Sequence, residues 1–133
     1  QLLNLGHTVG HALEAASGFR LRHGLAVALG LQVSAAASAA LGLCPAAVAA
    51  RVTRHLALRG LPVRPALALS AATGAPPLDD AALVDRLLPF MAQDKKAVAG
   101  APRLVLLREV GAAFLAAPMA CSALRPVLIR AVG

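Results

Sequence analysis

Apolar residues recur at helical spacing from the first residues of the chain. On a helical projection at about 100° per residue they gather on one side, at Leu2, Leu5, Val9 and Leu13. The pattern predicts a first helix from residue 1 to Ala16. It ends at Ser17-Gly18, because glycine readily adopts the left-handed conformation that closes a helix.

Similar patterns, with flanking proline, glycine and aspartate, predict four further helices. The connector at 61–77 is rich in proline and glycine, which predicts irregular chain with one helical turn near 66–72. The four helices are predicted from His23 to Leu41 before Gly42, from Pro45 to Arg59 before Gly60, over 79–92 after Asp79 and Asp80, and from Pro118 to Val132.

Two short apolar segments, 104–107 and 112–115, flank Gly111 and predict a small β-hairpin. The 133 residues are 59% hydrophobic but only 2% aromatic, so the core must consist of alanine, leucine and valine at close helix-helix distances. We therefore expect one mainly α-helical, bundle-like domain over residues 1–133 that carries this two-stranded hairpin.

A stretch without charge, 24–43, has the length of a membrane span. It consists largely of alanine, glycine and serine and contains Gln32, which favours a buried core helix over insertion into a bilayer. Cys44 and Cys121 are far apart and form no metal-binding CxxC pair, and no secretory signal is present. Both observations predict reduced cysteines in a cytoplasmic protein.

The chain has 13 lysines and arginines against six acids, a net charge of +7. This excess suits a small phosphorylated substrate, although it also serves the solubility of an alanine-rich body. Lys95-Lys96 is the only adjacent basic pair. Because basic residues are not interleaved with aromatic ones, nucleic-acid binding is disfavoured.

The polar side of the first predicted helix concentrates titratable groups. Asn4, His7, His11 and Glu14 fall within an arc of roughly 80°. Two histidines at i and i+4 can chelate one divalent metal, but they can equally be surface or capping residues. The chain lacks the glutamate that follows the first histidine in HExxH peptidases, so a peptidase is disfavoured.

His23 follows after a short loop and can return to this polar side, providing a third imidazole. The residues alone then allow either a site of three histidines, or two of them with an acid from elsewhere. His55 and Glu109 we interpret as structural.

Longer motifs surround these histidines. Residues 2–14 read LLNLGHTVGHALE, residues 23–30 read HGLAVALG, and Asp94-Lys95-Lys96 precedes Arg103-Leu104-Val105-Leu106-Leu107 and Gly111. In order and spacing, over about residues 2–115, they resemble the signatures LLNxGHTxGHAxE, HGEAVAxG and DKK of the 3-dehydroquinate synthases. Leu25 stands where that signature has glutamate, so a contact close to His23 that supports metal binding is expected to be lost.

The resemblance implies specific roles. His7 and His23 match zinc (or cobalt) ligands, with a glutamate of an N-terminal domain as third protein ligand, and His11 matches a base or substrate contact and is our candidate catalytic residue. Lys95 is preferred over Lys96 for the substrate's anionic end. The substrate-binding residues implied are Asn4, His11, His23, Lys95 and Lys96.

For activity, the resemblance implies conversion of a seven-carbon sugar acid phosphate to 3-dehydroquinate with loss of phosphate, in the shikimate pathway. NAD⁺ would be bound mainly by the N-terminal domain, and the full-length protein would be a cytoplasmic homodimer without nucleic-acid or membrane partners. The chain begins with Gln1 inside a motif, so we expect a piece of a longer enzyme without turnover alone. Alternatives are a related sugar phosphate cyclase and a non-catalytic helical metal-binding or partner-binding module.

Overall fold

The computed structural model describes residues 6–109 and 111–133. Within them the chain is mainly helical with one antiparallel hairpin, which confirms the predicted fold class. The elements are α1 His7–Ala16, α2 His23–Ala40, α3 Ala46–Leu58, α4 Pro65–Thr73, α5 Asp80–Ala92, β1 Val105–Glu109, β2 Ala112–Leu115 and α6 Cys121–Val132.

Helix α2 is the centre of the domain. Helices α1, α3 and α6 and strand β1 all pack against it, which agrees with its lack of a polar face. By length and composition alone its 18 residues would suffice to cross a membrane, but half of them are buried inside the fold. The uncharged stretch of the sequence is thus a core helix, as predicted.

The main core joins α1, α2, α5 and α6. Its largest fully buried side chains include Leu13, Leu29, Leu83 and Met91, and no buried aromatic residue is found among the described ones. Burying such aliphatic side chains contributes roughly 1.5–3 kcal/mol each. Cys44 and Cys121 are unpaired, and burial raises the pKa of the Cys44 thiol.

Glycines allow α1 and α2 to approach at backbone distance. A Cβ at Gly10 would lie 3.0 Å from the carbonyl oxygen of Ala26, and one at Gly6 or Gly30 would collide with the backbone of the other helix. Gly6 and Gly10 therefore admit the backbone of α2 at close range.

Most predicted helix ends agree with the structure to within one or two residues, with three differences. Helix α1 begins at His7, because Gly6 has a φ of 82° in the left-handed region, so the prediction of a helix from residue 1 is wrong at Gly6. Helix α4 has nine residues rather than one turn. Helix α6 begins at Cys121, three residues after Pro118.

The hairpin pairs Val105 with Leu115 and Leu107 with Ala113, with an irregularity between Leu107 and Glu109. Its first strand is tied to α2 by Ser38, whose hydroxyl accepts a hydrogen bond from the Leu107 amide at 2.8 Å and donates to the Ser34 carbonyl at 2.7 Å. Strand β1 of the hairpin is therefore fixed to the central helix α2.

Candidate functional site

Three imidazoles converge where α1 meets the start of α2. The ring centroids of His7 and His11 are 5.5 Å apart, those of His7 and His23 are 6.1 Å apart, and those of His11 and His23 are 6.2 Å apart. By metal–nitrogen lengths near 2 Å, rings that share one tetrahedral ion have centroids roughly 5 Å apart. The three spacings are thus somewhat longer than that of two rings bound to one ion.

The loop between the two helices brings His23 back to α1. The Ser17 hydroxyl donates to the Glu14 carbonyl at 2.7 Å and accepts from the Leu21 amide at 3.0 Å, and the Phe19 amide also donates to the Glu14 carbonyl at 2.8 Å. Leu21 is buried in the core. The loop is thus closed on the last turn of α1, and α2 begins beside the histidines.

Glu14 is the carboxylate of this site. Its Oε1 lies 2.6 Å from Nδ1 of His23. The Glu14 side chain is 15% exposed and that of His23 is 62% exposed. An ionised carboxylate only accepts hydrogen bonds, so it pairs with an imidazole that carries its proton on Nδ1.

His7 is half-buried, and its Nδ1 has no hydrogen-bond partner among the described residues. Its imidazole is thus not committed to a structural hydrogen bond through that nitrogen. Across residues 6–109 and 111–133, no group of three or more histidine, cysteine, aspartate or glutamate side chains is arranged to hold a metal ion. The described part of the chain therefore presents an incomplete ligand set.

An open cavity of about 430 Å³ lies next to the histidines, between α1 and the end of α5. His11 and Glu14 line one side, and residues 93–96 line the other. Phe19, 76% exposed with a φ of 63°, and Phe90, 39% exposed, lie at its edges. Packing of α1 against α5 thus joins two motifs about 80 residues apart into one cavity.

The two lysines of this cavity differ in their contacts. Lys96 Nζ lies 3.2 Å from Asp94 Oδ1, and the same oxygen accepts from the Lys96 amide at 2.9 Å. The Asp94 side chain is only 8% exposed. Lys95 is exposed, lines the cavity and has no ion pair within the described residues. Of the two lysines, Lys95 is thus the one without an ion pair among the described residues.

Comparisons with known proteins identify relatives of this chain. Residues 1–97 match the family model described as 3-dehydroquinate synthase C-terminal. The chain belongs to the 3-dehydroquinate synthase family. It is 46% identical over 131 residues to a 3-dehydroquinate synthase of Nitrobacter winogradskyi, covering 97% of this chain and 33% of that protein. For the synthase of Paracoccus denitrificans, the identity is 42% over 133 residues, covering 98% and 32%.

A 3-dehydroquinate synthase of Bradyrhizobium diazoefficiens is 48% identical over 117 residues, or 86% of this chain and 29% of that protein. The chain thus spans about a third of the length of the curated relatives that it matches. The resemblance inferred from the motifs is confirmed at the level of the family.

The structure brings together five of the six residues predicted for the site. The imidazoles of His7, His11 and His23 are neighbours. Lys95 and Lys96 line the same cavity as His11. Asn4 lies outside the described residues. The metal and substrate roles of all six remain predictions.

Phe19, Phe90 and Gln93 line the cavity and were not singled out from the sequence. The phenylalanines follow no spacing that signals function, and Gln93 carries no signal beyond its place before Asp94. Glu14 was on the predicted polar arc without an assigned role. The return of His23 to this side was predicted, but its pairing with Glu14 was not.

Leu25 occupies a different environment from the site. It is half-buried against the main core and lines a second cavity together with Arg20 and Arg22. A carboxylate nevertheless reaches His23, and it comes from Glu14. The loss of a supporting contact through Leu25 stays a prediction.

Proposed function

We propose that this chain is the C-terminal portion of a 3-dehydroquinate synthase. That enzyme converts 3-deoxy-D-arabino-heptulosonate 7-phosphate to 3-dehydroquinate and phosphate, as a phosphate-eliminating carbon–oxygen lyase of the shikimate pathway. The observation that carries the proposal is the convergence of His7, His11 and His23 beside a cavity lined by Lys95. Family membership supports it.

Within this proposal His7 and His23 hold the metal. Their imidazoles fit zinc or cobalt, because both metals accept neutral histidine nitrogen and because neither the His7 Nδ1 nor the His23 Nε2 is used in a hydrogen bond among the described residues. A third protein ligand would come from the N-terminal domain. When bound, the ion would polarise adjacent hydroxyls of the substrate as a Lewis acid.

His11 has a different place in the proposal. It is exposed and lines the cavity, so a neutral imidazole there can accept a proton at one nitrogen and release one from the other. Lys95 provides an ammonium for the phosphate or carboxylate of the substrate. Lys96 is held by Asp94 and shapes the same wall of the cavity.

The remaining parts of the proposed enzyme lie outside this chain. NAD⁺ would be bound mainly by the N-terminal domain and would supply the hydride chemistry. We propose a cytoplasmic homodimer for the full-length protein, and no turnover from these 133 residues alone, since they represent about a third of the relatives' length.

The test uses the full-length protein with single alanine variants. We expect His7→Ala and His23→Ala to lose zinc, measured as metal content after dialysis. His11→Ala should keep zinc while its kcat for phosphate release falls about 10²- to 10⁴-fold. His55→Ala, at an exposed histidine of α3, is the matched control and should retain both.

Two results would contradict the proposal. Loss of zinc in His11→Ala but not in His23→Ala would reverse the assigned roles. If the wild-type protein released phosphate from another sugar phosphate in preference to the heptulosonate, it would be a related sugar phosphate cyclase instead.

A further inference from the structure

The contact between Glu14 and His23 joins the two helices that carry the proposed ligands. His23 is the first residue of α2, and α2 has no acidic residue in its first turn. The Glu14 carboxylate of α1 therefore takes the place that such an acid would have near the positive end of the α2 dipole. Two favourable interactions hold it there: the dipole and the Nδ1–H of His23.

We infer that Glu14 is a positioning residue, whose carboxylate fixes His23 as the Nδ1–H tautomer and so leaves Nε2 as the nitrogen available to a metal. The consequence for metal binding rests on the proposed function. The contact between Glu14 and His23 does not depend on it. The 2.6 Å distance and the low exposure of the Glu14 side chain are properties of the fold itself.

The surroundings of Glu14 indicate which of the two side chains orients the other. Its backbone carbonyl accepts from the Ser17 hydroxyl and from the Phe19 amide, so the residue closes the loop that leads to His23. The side chain is 15% exposed whereas that of His23 is 62% exposed. The more buried partner is thus the carboxylate, and in this inference it orients the more exposed imidazole.

Glu14, and not residue 25, supplies the carboxylate that contacts His23. Leu25 packs on the core, and the carboxylate at His23 is supplied from the other helix. Carboxylate partners of metal-binding histidines fix the tautomer and raise ligand basicity, and their loss typically weakens metal binding 10- to 100-fold. Among the described residues, the carboxylate that contacts His23 is that of Glu14.

The first measurement needs no metal. In metal-free full-length protein, long-range ¹H–¹⁵N spectra of the imidazoles report which nitrogen of neutral His23 carries the proton. We expect Nδ1–H in the wild type and a shift toward the Nε2–H form in Glu14→Ala. A wild-type His23 that is mainly Nε2–H would overturn the inference.

The second measurement is the zinc dissociation constant, from competition with a chelating dye. We expect Glu14→Ala to bind zinc about 10- to 100-fold more weakly. Glu14→Gln should recover part of this loss, because its amide oxygen can still accept from Nδ1–H. Glu109→Gln, at an exposed strand residue, is the matched control and should bind as the wild type does.

The variants separate failure of this inference from failure of the proposed function. If His7→Ala and His23→Ala leave the zinc affinity unchanged, the proposed metal site is wrong. If those two weaken binding while Glu14→Ala does not, the metal site stands and the role of Glu14 is refuted. Glu14→Ala keeps the backbone hydrogen bonds of the loop, so circular dichroism should show a folded protein.

Discussion

The carbonyl oxygen of Gly6 lies directly against Gly30, so that a Cβ atom at residue 30 would collide with it. The same Cβ would lie 2.8 Å from the amide nitrogen of Gly10. Both obstacles are backbone atoms, which cannot move away as a side chain can. The absence of a side chain at residue 30 therefore sets the distance between α1 and α2, and with it the position of His7 relative to His23.

Gly30→Ala is expected to destabilise the protein by about 3 kcal/mol, because overpacking here requires the helices to separate. Urea denaturation measures this loss, and zinc affinity should fall with it. Gly24→Ala is the control in the same helix, since a Cβ there has nothing within 4 Å. It should be neutral or stabilise by up to about 1 kcal/mol. Equal stability of the two variants would show that the close approach is not needed.

Lys95 and Lys96 offer a matched pair for the anion-binding role. Lys95→Met should lower kcat/KM about 10- to 100-fold through a higher KM, with unchanged stability, because it removes an exposed ammonium from the cavity. Lys96→Met should mainly lower stability, because it leaves the poorly exposed Asp94 carboxylate without its ion pair. A larger rise in KM for Lys96→Met would assign the anion contact to Lys96.

The hydroxyl of Ser38 connects the hairpin to the central helix. Ser38→Ala would leave the buried Leu107 amide without its acceptor, which costs about 1–3 kcal/mol. Thermal or urea unfolding measures the change. Ser122→Ala, at an exposed residue in the first turn of α6, should stay within about 0.5 kcal/mol of the wild type. A neutral Ser38→Ala would mean that water or another group satisfies this amide.

The ion pair between Asp85 and Arg125 joins α5 to α6 and should make stability depend on pH. Arg125 Nε donates to Asp85 Oδ1 at 2.7 Å, and this hydrogen bond, with the charge of the guanidinium, lowers the pKa of the Asp85 carboxyl below 3.8. Because the pKa of Asp85 is lower in the folded than in the unfolded state, the ion pair stabilises the protein at pH values above the unfolded-state pKa. This stabilisation is lost as the pH falls through the folded-state pKa.

The melting temperatures of wild type and Asp85→Asn should therefore differ at neutral pH and converge below pH 3.8. Because both side chains are exposed, the difference should be small and should shrink with added salt. A gap that stays constant across this pH range would show that Asp85 acts other than through its charge.

Several features of this protein followed from the sequence because they depend on neighbours along the chain. Gly18, Gly42 and Gly60 have positive φ near the predicted helix ends, since local backbone freedom decides where a helix stops. The hairpin at 104–115 was predicted for the same reason. The motifs around His7 and His23 identified the family, because chemistry at a site requires particular residues at a particular spacing.

What the sequence did not determine are contacts between residues far apart. The start of α1 at His7 is set where Gly6 passes the backbone of α2. The partnership of Glu14 with His23, and the burial of Leu25 away from both, depend on how two helices pack. Helical periodicity places a residue on one face of its own helix, but the tertiary structure alone decides which groups that face meets.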